Sequence, residues 1–236
     1  MLQRLKPGWA TFVPSFYWGL THVVRFLLLT LTHWKAEGRE LVPREGSFIV
    51  VANHLSNADP GILAAGVLHR RITYMAKIEL FESKIGVFIR LYGAFPVRRF
   101  EADVGALLTA ERTLKRGGVI GMFPEGHRSR DGVFHKPHPG TAMIALRSGA
   151  TILPCALIGT EVLANPFSLW RRPPMSVRVG EPIAVATVRR PTEAQVTELS
   201  ERIYTAIRDL LPERYTRPYT DNEGVVQADG ADNTRD

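Results

Sequence analysis

The sequence predicts a single α/β domain with a largely parallel sheet flanked by helices, preceded by an N-terminal helical segment. Runs of β-branched and other apolar residues alternate along the chain with stretches of helical periodicity, which is the pattern of parallel strands joined by helices. The 236 residues are enough to bury one sizeable core. Hydrophobic residues make up 45% and charged residues 22% of the chain, as expected for a folded body.

Six strands are predicted, each as a short apolar run between turn signals. They are SFIVVAN (47–53), ITYMAK (72–77), AFPVRR (94–99), VIGMF (119–123), TILPCALIG (151–159) and MSVRVGEPI (175–183).

Five helices are predicted to connect or follow these strands. The first begins at Asp59-Pro60, with the aspartate as N-cap and the proline at the first helical position. The third has acids early, basic residues late and a Gly-Gly stop. The helices run through GILAAGVL (61–68), KIGVFIRLYG (84–93), residues 101–118, TAMIALRSG (141–149) and TEAQVTELSERIYTAIRDLL (192–211).

The chain divides by composition into three parts: a helical segment over residues 1–36, an α/β domain over 37–216 and an acidic tail over 217–236. The formal net charge is +7. From Pro218 onward five acids face one arginine, so this end carries −4 and the rest of the chain +11. The tail is rich in Asp, Gly and Asn and is predicted to be disordered.

The basic body predicts a phosphate-rich partner, which is an anionic membrane surface, a phosphorylated substrate or nucleic acid. The sequence contains no recognised nucleic-acid-binding motif, so we expect no nucleic acid. The single cysteine, Cys155, cannot form an internal disulfide and fits a reducing compartment. We therefore expect a protein of the cytoplasmic side of the cell.

The segment Phe12 to Trp34 predicts association with a membrane without a clean span. It is rich in Phe, Leu, Val and Trp, but Arg25 and His22 lie near its middle. A charge at the bilayer centre costs about 2.5–3.5 kcal/mol on the insertion scale. A helix that lies in the interface therefore fits better than a straight span. The alternative is a helix packed on the soluble core.

The stretch NHLSNAD (53–59) leaves the first predicted strand with a histidine and a carboxylate five residues apart. A histidine acts as a general base near neutral pH if a second group orients the imidazole and stabilises its charged form. His54 and Asp59 are the candidates for these two roles. The alternative for Asp59 is a plain helix cap, and the spacing alone is too short a motif to decide.

A second polar loop, EGHRSRDG (125–132), follows the strand VIGMF. Arg128 can bind a phosphate through paired hydrogen bonds, and Glu125 can receive a substrate hydroxyl or hold an arginine. Arg98, at the end of AFPV, is a third candidate cation. The alternative for these charges is a solvated cluster of ion pairs. Since ligands of parallel α/β sheets bind outside the carboxyl ends of the strands, both loops are expected at the site.

Together these stretches resemble the glycerolipid acyltransferase family, and within it the 1-acylglycerol-3-phosphate acyltransferases of the PlsC type. NHLSNAD matches the N-H-x4-D block and AKIELF (76–81) resembles its A-K-x-E-L segment. YGAFPVRR (92–99), FPEGHRS (123–129) and ILPCALIG (152–159) are similar to the three further blocks, in family order. One departure is His127, where the family usually has threonine.

The resemblance implies an enzyme that transfers an acyl group from acyl-CoA or acyl-carrier protein to the free hydroxyl of a lysophospholipid, lysophosphatidic acid, at the cytoplasmic face of the cell membrane. It gives the catalytic roles to His54 and Asp59. It implies substrate-binding roles at Lys77, Arg98, Glu125, Gly126 and Arg128. It implies neither a metal nor a cofactor beyond the acyl donor.

Two other functions stay open from the sequence. One is an acyltransferase for another lysophospholipid, a glycolipid or a lipid alcohol, which would keep the dyad and change the phosphate-binding residues. The other is a basic module that binds membranes or nucleic acid without catalysis, which has no use for a histidine–carboxylate pair at the end of a strand.

Overall fold

The computed structural model describes residues 9–98, 103–129 and 132–216. Within these ranges the chain forms seven strands and seven α-helices. The strands are β1 (His33–Glu37), β2 (Phe48–Ala52), β3 (Ile72–Lys77), β4 (Phe95–Val97), β5 (Val119–Met122), β6 (Thr151–Ile158) and β7 (Pro174–Val179). The helices are α1 (Trp9–Leu31), α2 (Asp59–Val67), α3 (Ile78–Glu82), α4 (Gly86–Leu91), α5 (Val104–Lys115), α6 (Gly140–Ser148) and α7 (Glu193–Leu210).

The strands form one sheet in the order β1-β7-β6-β2-β5-β3-β4. All neighbouring pairs are parallel except β6 and β7, which are antiparallel. The strands β6, β2, β5, β3 and β4 therefore all point the same way. Their carboxyl ends lie at the same end of the sheet, and the polar loops begin there.

Helices cover both faces of the sheet, as a parallel sheet requires. The strand β2 is buried on both sides. Ile49 and Val51 join one core with α5, α6 and α7, whereas Phe48 and Val50 join a second core with α1 and α2. The continuous apolar run of β2 is explained by this central position, and the α/β fold predicted from the sequence is confirmed.

Two elements differ from the sequence expectation. β1 was not predicted, because HWKAE alternates exposed and half-buried positions at the sheet edge and lacks an apolar run. The helix predicted over 84–93 is shorter, and it follows a separate helix that ends before Ser83. Pro96 is accommodated within β4 because this strand is the opposite edge of the sheet, where a missing N–H costs little.

The helix α1 packs one face against the body of the protein. Tyr17 is fully buried, and its hydroxyl accepts a hydrogen bond from the main-chain N–H of Ile72 at 3.0 Å. The Tyr17 ring also stacks on Tyr92 of the α4–β4 turn at 4.7 Å. Burial raises the pKa of the Tyr17 hydroxyl, which keeps it protonated.

Among the residues that the structure describes, no helix has both the length and the apolarity to cross a bilayer. The boundary expected between residues 36 and 37 lies within β1, which pairs with β7 from His33 to Glu37. The acidic tail over 217–236 lies outside the described residues, as do residues 1–8.

Candidate active site

The predicted site residues lie at the carboxyl ends of four neighbouring strands. His54 follows the end of β2 by two residues, and Glu125 follows the end of β5 by three. Lys77 ends β3, and Arg98 directly follows β4. Since strands are spaced about 4.8 Å apart, the end of β4 lies about 10 Å from the end of β5.

His54 and Asp59 form the expected pair. The Nδ1 of His54 lies 2.9 Å from Oδ2 of Asp59. The His54 side chain is 12% exposed, whereas that of Asp59 is fully buried. The imidazole therefore reaches solvent while its carboxylate partner is shielded from water, an arrangement that keeps the partner ordered.

The geometry assigns the proton on the imidazole. Oδ2 of Asp59 also accepts hydrogen bonds from the main-chain N–H groups of Leu55 and Ser56 at 2.6 and 2.7 Å. Three converging contacts of this kind require a carboxylate that accepts and a histidine Nδ1 that donates. The basic nitrogen of His54 is consequently Nε2, which is the arrangement of a histidine general base.

The helix cap predicted at Asp59 is displaced by one residue. The N-cap of α2 is Ala58, and Asp59 is the first residue of the helix. The Asp59 carboxylate turns back through Oδ2 onto residues 54–56, and within the described part of the chain its Oδ1 is buried without a hydrogen-bond partner. Interpretation of this aspartate as a plain cap is therefore wrong, and Pro60 occupies the position after it.

Two stacked aromatic rings pack against one face of the His54 imidazole. Phe123, the first residue after β5, stacks on the His54 ring with centroids 4.2 Å apart and planes 18° from parallel. Tyr74 of β3 lies parallel to Phe123 at 6.3 Å, and its hydroxyl donates to the main-chain carbonyl of Pro60 at 2.7 Å. Burial raises the pKa of Tyr74, so this donation from the protonated hydroxyl persists.

Glu125 lies inside the site and contacts the chain around the dyad. It is 1% exposed. Its Oε1 accepts from the N–H of His54 at 2.9 Å, and its Oε2 accepts from the N–H of His135 at 3.2 Å. The two polar loops predicted from separate stretches therefore meet at this carboxylate.

Gly126 shapes the turn after Glu125. Its φ of +74° lies in the left-handed region, and a Cβ added there would come 2.8 Å from the ring of His138. Both features favour glycine at this position. The Gly126 N–H donates to the carbonyl of Phe123 at 3.0 Å, so its amide is used within the turn.

The predicted cations lie at the rim of the site. Arg128 is exposed on the loop after β5, one residue before Ser129, whose N–H donates to the carbonyl of His54 at 2.7 Å. Arg98 is exposed after β4. Lys77 is about half exposed and lies 3.5 Å from Glu79. Glu125 is hydrogen-bonded directly to the main chain of His54. Arg128, Arg98 and Lys77 lie at the same carboxyl-terminal end of the sheet.

Sequence reasoning missed two residues that order the site. The Asn53 side chain spans to β6, where its Nδ2 donates to the carbonyl of Leu157 at 2.9 Å and its Oδ1 accepts from the N–H of Leu157 at 2.8 Å. The sequence predicts Phe123 only as the last residue of the strand VIGMF. Their positions in the sequence could have indicated a role. Each directly follows the last residue of a strand and lies one or two residues before a candidate site residue.

The described ranges 9–98, 103–129 and 132–216 contain no group of three or more His, Cys, Asp or Glu side chains arranged to hold a metal ion. The described part of the site contributes a histidine, its carboxylate partner, a buried glutamate and exposed cations at the strand ends.

A family model described as "Acyltransferase" matches residues 33–158, which is more than half of the chain. The chain belongs to this acyltransferase family. The matched segment runs from β1 to the end of β6 and contains every predicted site residue. The family resemblance inferred from the sequence blocks is confirmed.

Named acyltransferases are similar over most of the chain. A 1-acyl-sn-glycerol-3-phosphate acyltransferase of Bacillus subtilis is 30% identical over 178 residues, which cover 75% of this chain and 87% of that protein. The enzyme of the same name from Streptococcus pneumoniae is 28% identical over 192 residues, covering 78% of this chain and 70% of that one.

A solved structure has the same fold. The crystal structure of the 1-acyl-sn-glycerophosphate (LPA) acyltransferase PlsC from Thermotoga maritima superposes with a TM-score of 0.64 at 24% identity. The match covers 89% of this acyltransferase chain and 83% of the Thermotoga chain. The likeness supports the α/β architecture, with its mostly parallel sheet flanked by helices.

Proposed function

We propose that this acyltransferase is a 1-acyl-sn-glycerol-3-phosphate O-acyltransferase, which converts lysophosphatidic acid to phosphatidic acid with acyl-CoA or acyl-carrier protein as donor. The observation that carries the proposal is the contact of His54 Nδ1 with a buried Asp59, placed beside a loop that carries an exposed arginine. The names of the similar proteins from Bacillus subtilis and Streptococcus pneumoniae support the same acceptor.

The dyad performs the proton transfers of a direct acyl transfer. Nε2 of His54 takes the proton of the acceptor's free hydroxyl while that oxygen attacks the thioester carbonyl carbon. The tetrahedral intermediate then collapses, the C–S bond breaks, and the leaving thiolate takes the proton from the imidazolium. Asp59 orients the ring and stabilises its positive charge between the two transfers.

The rim cations bind the phosphate of the acceptor. Arg128 lies one residue from the contact between Ser129 and the main chain of His54, so a phosphate held there places the glycerol near the base. Arg98 and Lys77 extend the positive edge across β4 and β3. Guanidinium groups suit this role because they bind phosphate oxygens through paired, charge-assisted hydrogen bonds.

A membrane surface supplies the lipid acceptor, and the exposed face of α1 is the surface that meets it. The buried face of α1 carries Tyr17 and Leu28. The side turned to solvent also carries large apolar residues, since Val23, Phe26, Leu27, Leu29 and Leu31 are exposed by 39–64%. Such a cluster of exposed apolar side chains on a surface helix is typical of a helix lying in a membrane interface.

Two further apolar groups adjoin α1. In the first half of α1 the ring of Phe16 lies 6.3 Å from that of Phe88 on α4, where Val87 and Phe88 are each more than half exposed. Near the C-terminal end of α1, Nη2 of Arg172 donates to the carbonyl of Leu29 at 3.4 Å, next to a 3₁₀ helix over Pro166–Arg171. That helix exposes Trp170 by 88%.

These three groups form one docking surface, defined as the exposed residues of α1, of α4 and of the 3₁₀ helix Pro166–Arg171. Arginines in it favour anionic lipid, at about 1 kcal/mol each near the surface. The proposed location is the cytoplasmic face of the cell membrane, where both acyl donors are available and where the single buried cysteine stays reduced.

The experiment that tests the function is an acceptor comparison with the purified protein. Radiolabelled acyl-CoA is supplied with lysophosphatidic acid, with other lysophospholipids and with a glycolipid alcohol, and the products are separated by lipid chromatography. We expect phosphatidic acid as the main product. Preference for an acceptor without a terminal phosphate would refute the assignment of the rim cations and favour the alternative acyltransferase.

A further inference from the structure

The main chain of His54 is held at both of its polar groups by one loop. Its N–H donates to Oε1 of Glu125 at 2.9 Å, and its carbonyl accepts from the N–H of Ser129 at 2.7 Å. β2 ends at Ala52, so the sheet ladder no longer fixes the chain at His54. The segment from Glu125 to Ser129 performs this task in its place.

Glu125 faces the protein interior. The residue is 1% exposed, and its second oxygen accepts from the N–H of His135, which lies ten residues further along the chain. Both carboxylate oxygens therefore accept from main-chain amides. A buried carboxylate in such contacts forms charge-assisted hydrogen bonds, which are roughly twice as strong as neutral ones.

Three contacts fix the position of the His54 imidazole. Asp59 holds Nδ1, Phe123 covers one face of the ring, and Glu125 fixes the main chain from which the side chain extends. A displacement of about 1 Å at a catalytic group can cost about 10²-fold in rate. The position of Nε2 therefore depends on the hydrogen bond from His54 to Glu125.

We propose that Glu125 is a positioning residue of the base, which fixes the main chain of His54 and does not contact the acceptor. The proposal rests on the proposed function of His54, and it replaces the expectation that Glu125 receives a substrate hydroxyl. The loop after β5 then has two roles. Its exposed Arg128 binds the acceptor phosphate, and its buried Glu125 positions the base.

The first test separates positioning from acceptor binding by kinetics. Glu125→Gln keeps the size of the side chain but turns an NH₂ group toward one of the two amides. We expect kcat to fall 10- to 100-fold, while KM for lysophosphatidic acid stays within about twofold. A KM that rises tenfold or more with an unchanged kcat would overturn the proposal, and so would kinetics identical to those of the wild type.

The matched control is Glu111→Gln. Glu111 is also a buried glutamate, but it lies on α5 and its carboxylate pairs with Arg147 on α6, at 2.6 Å. This variant loses a buried charge away from the dyad. It should melt at a lower temperature and keep the wild-type kcat. A fall in kcat equal to that of Glu125→Gln would show that the loss reflects general destabilisation, which overturns the positioning role.

The second test needs neither a variant nor activity. Nuclear magnetic resonance of the folded wild-type protein reports the main-chain N–H of His54, which we expect to exchange slowly with solvent and to resonate downfield because it donates to a carboxylate. Exchange at the rate of an exposed loop amide would overturn the proposal. If the wild-type protein acylated no lysophospholipid, the proposed function would fail, while this measurement would still decide the contact between His54 and Glu125.

Discussion

One oxygen of Asp59 holds the histidine that carries out the chemistry. The Nδ1 of His54 lies 2.9 Å from Oδ2 of Asp59, and the same oxygen accepts from the two main-chain amides that follow the histidine. The carboxylate thus fixes both the tautomer of the imidazole and the turn on which it stands. Within the described residues its other oxygen, Oδ1, is buried without a hydrogen-bond partner, so the N-cap position of α2 is Ala58 and the carboxylate serves the turn.

Asp59→Asn should therefore lower the rate much more than the stability. The asparagine oxygen can still accept from Leu55 and Ser56, but the neutral amide no longer stabilises the imidazolium of His54. We expect kcat to fall by about 10²–10⁴. Activity and thermal unfolding of the purified variant are to be measured together. A normal kcat with a loss of about 1 kcal/mol in stability would mean that Asp59 only stabilises the turn over residues 54–56 and takes no part in the chemistry.

The local part of this site could be predicted from the sequence. His54 and Asp59 lie five residues apart in one turn, so their contact needs only that the turn folds back. The strands were readable for a similar reason, because burial between two layers of helices leaves a continuous apolar run such as FIVVA in β2. The sequence blocks then identified the family, which the family model confirms.

The contacts between distant segments could not be predicted. His54 and Glu125 are 71 residues apart and meet because β2 and β5 are neighbours in the sheet. The strand order depends on how helices pack over both faces of the sheet. It cannot be predicted from the sequence pattern of any one strand. The same holds for Phe123, whose ring reaches His54 only after β5 is in place. β1 stayed hidden because an edge strand needs no apolar run.

Arg128→Ala should weaken binding of the acceptor more than that of the donor. The guanidinium is exposed on the loop that contacts His54 and is assigned to the acceptor phosphate. We expect KM for lysophosphatidic acid to rise about tenfold or more, with KM for acyl-CoA within about twofold. Initial rates with each substrate varied in turn provide both constants.

The control for this variant is Arg190→Ala, which removes an exposed arginine from the segment between β7 and α7 and should leave both constants unchanged. A selective rise in KM for acyl-CoA in the Arg128 variant would place this residue beside the donor and contradict its assignment.

The docking surface predicts which apolar residues bind vesicles. Deleting the N-terminal segment is a poor test, because it removes Tyr17 and Leu28 from the core. Phe26→Ser and Trp170→Ser instead change residues that are 64% and 88% exposed. Each should weaken sedimentation with anionic vesicles about tenfold, since the transfer of a large aromatic side chain out of water is worth about 1.5–3 kcal/mol.

The matched variant is Val104→Ser, which replaces an apolar residue that is 61% exposed on α5, across the sheet from α1. It should sediment as the wild type does. Equal losses for all three variants would show that binding follows general surface hydrophobicity, and the docking surface assigned here would be wrong.

Cys155 should not react in the folded protein. Its side chain is fully buried in β6, and burial raises the pKa of the thiol, so the reactive thiolate does not form near neutral pH. A thiol reagent should label Cys155 only after unfolding, and Cys155→Ala should retain more than half of the activity. Loss of transfer in a folded Cys155→Ala protein would instead indicate an acyl-cysteine intermediate.

Nε2 of His54 is assigned as the general base of direct transfer to lysophosphatidic acid. The measurement that tests this role is the formation of phosphatidic acid by purified His54→Ala, with both substrates saturating and with folding confirmed by circular dichroism. We expect a kcat about 10²- to 10⁴-fold below that of the wild type. A folded variant that keeps more than about a tenth of the wild-type kcat would show that His54 is not the base.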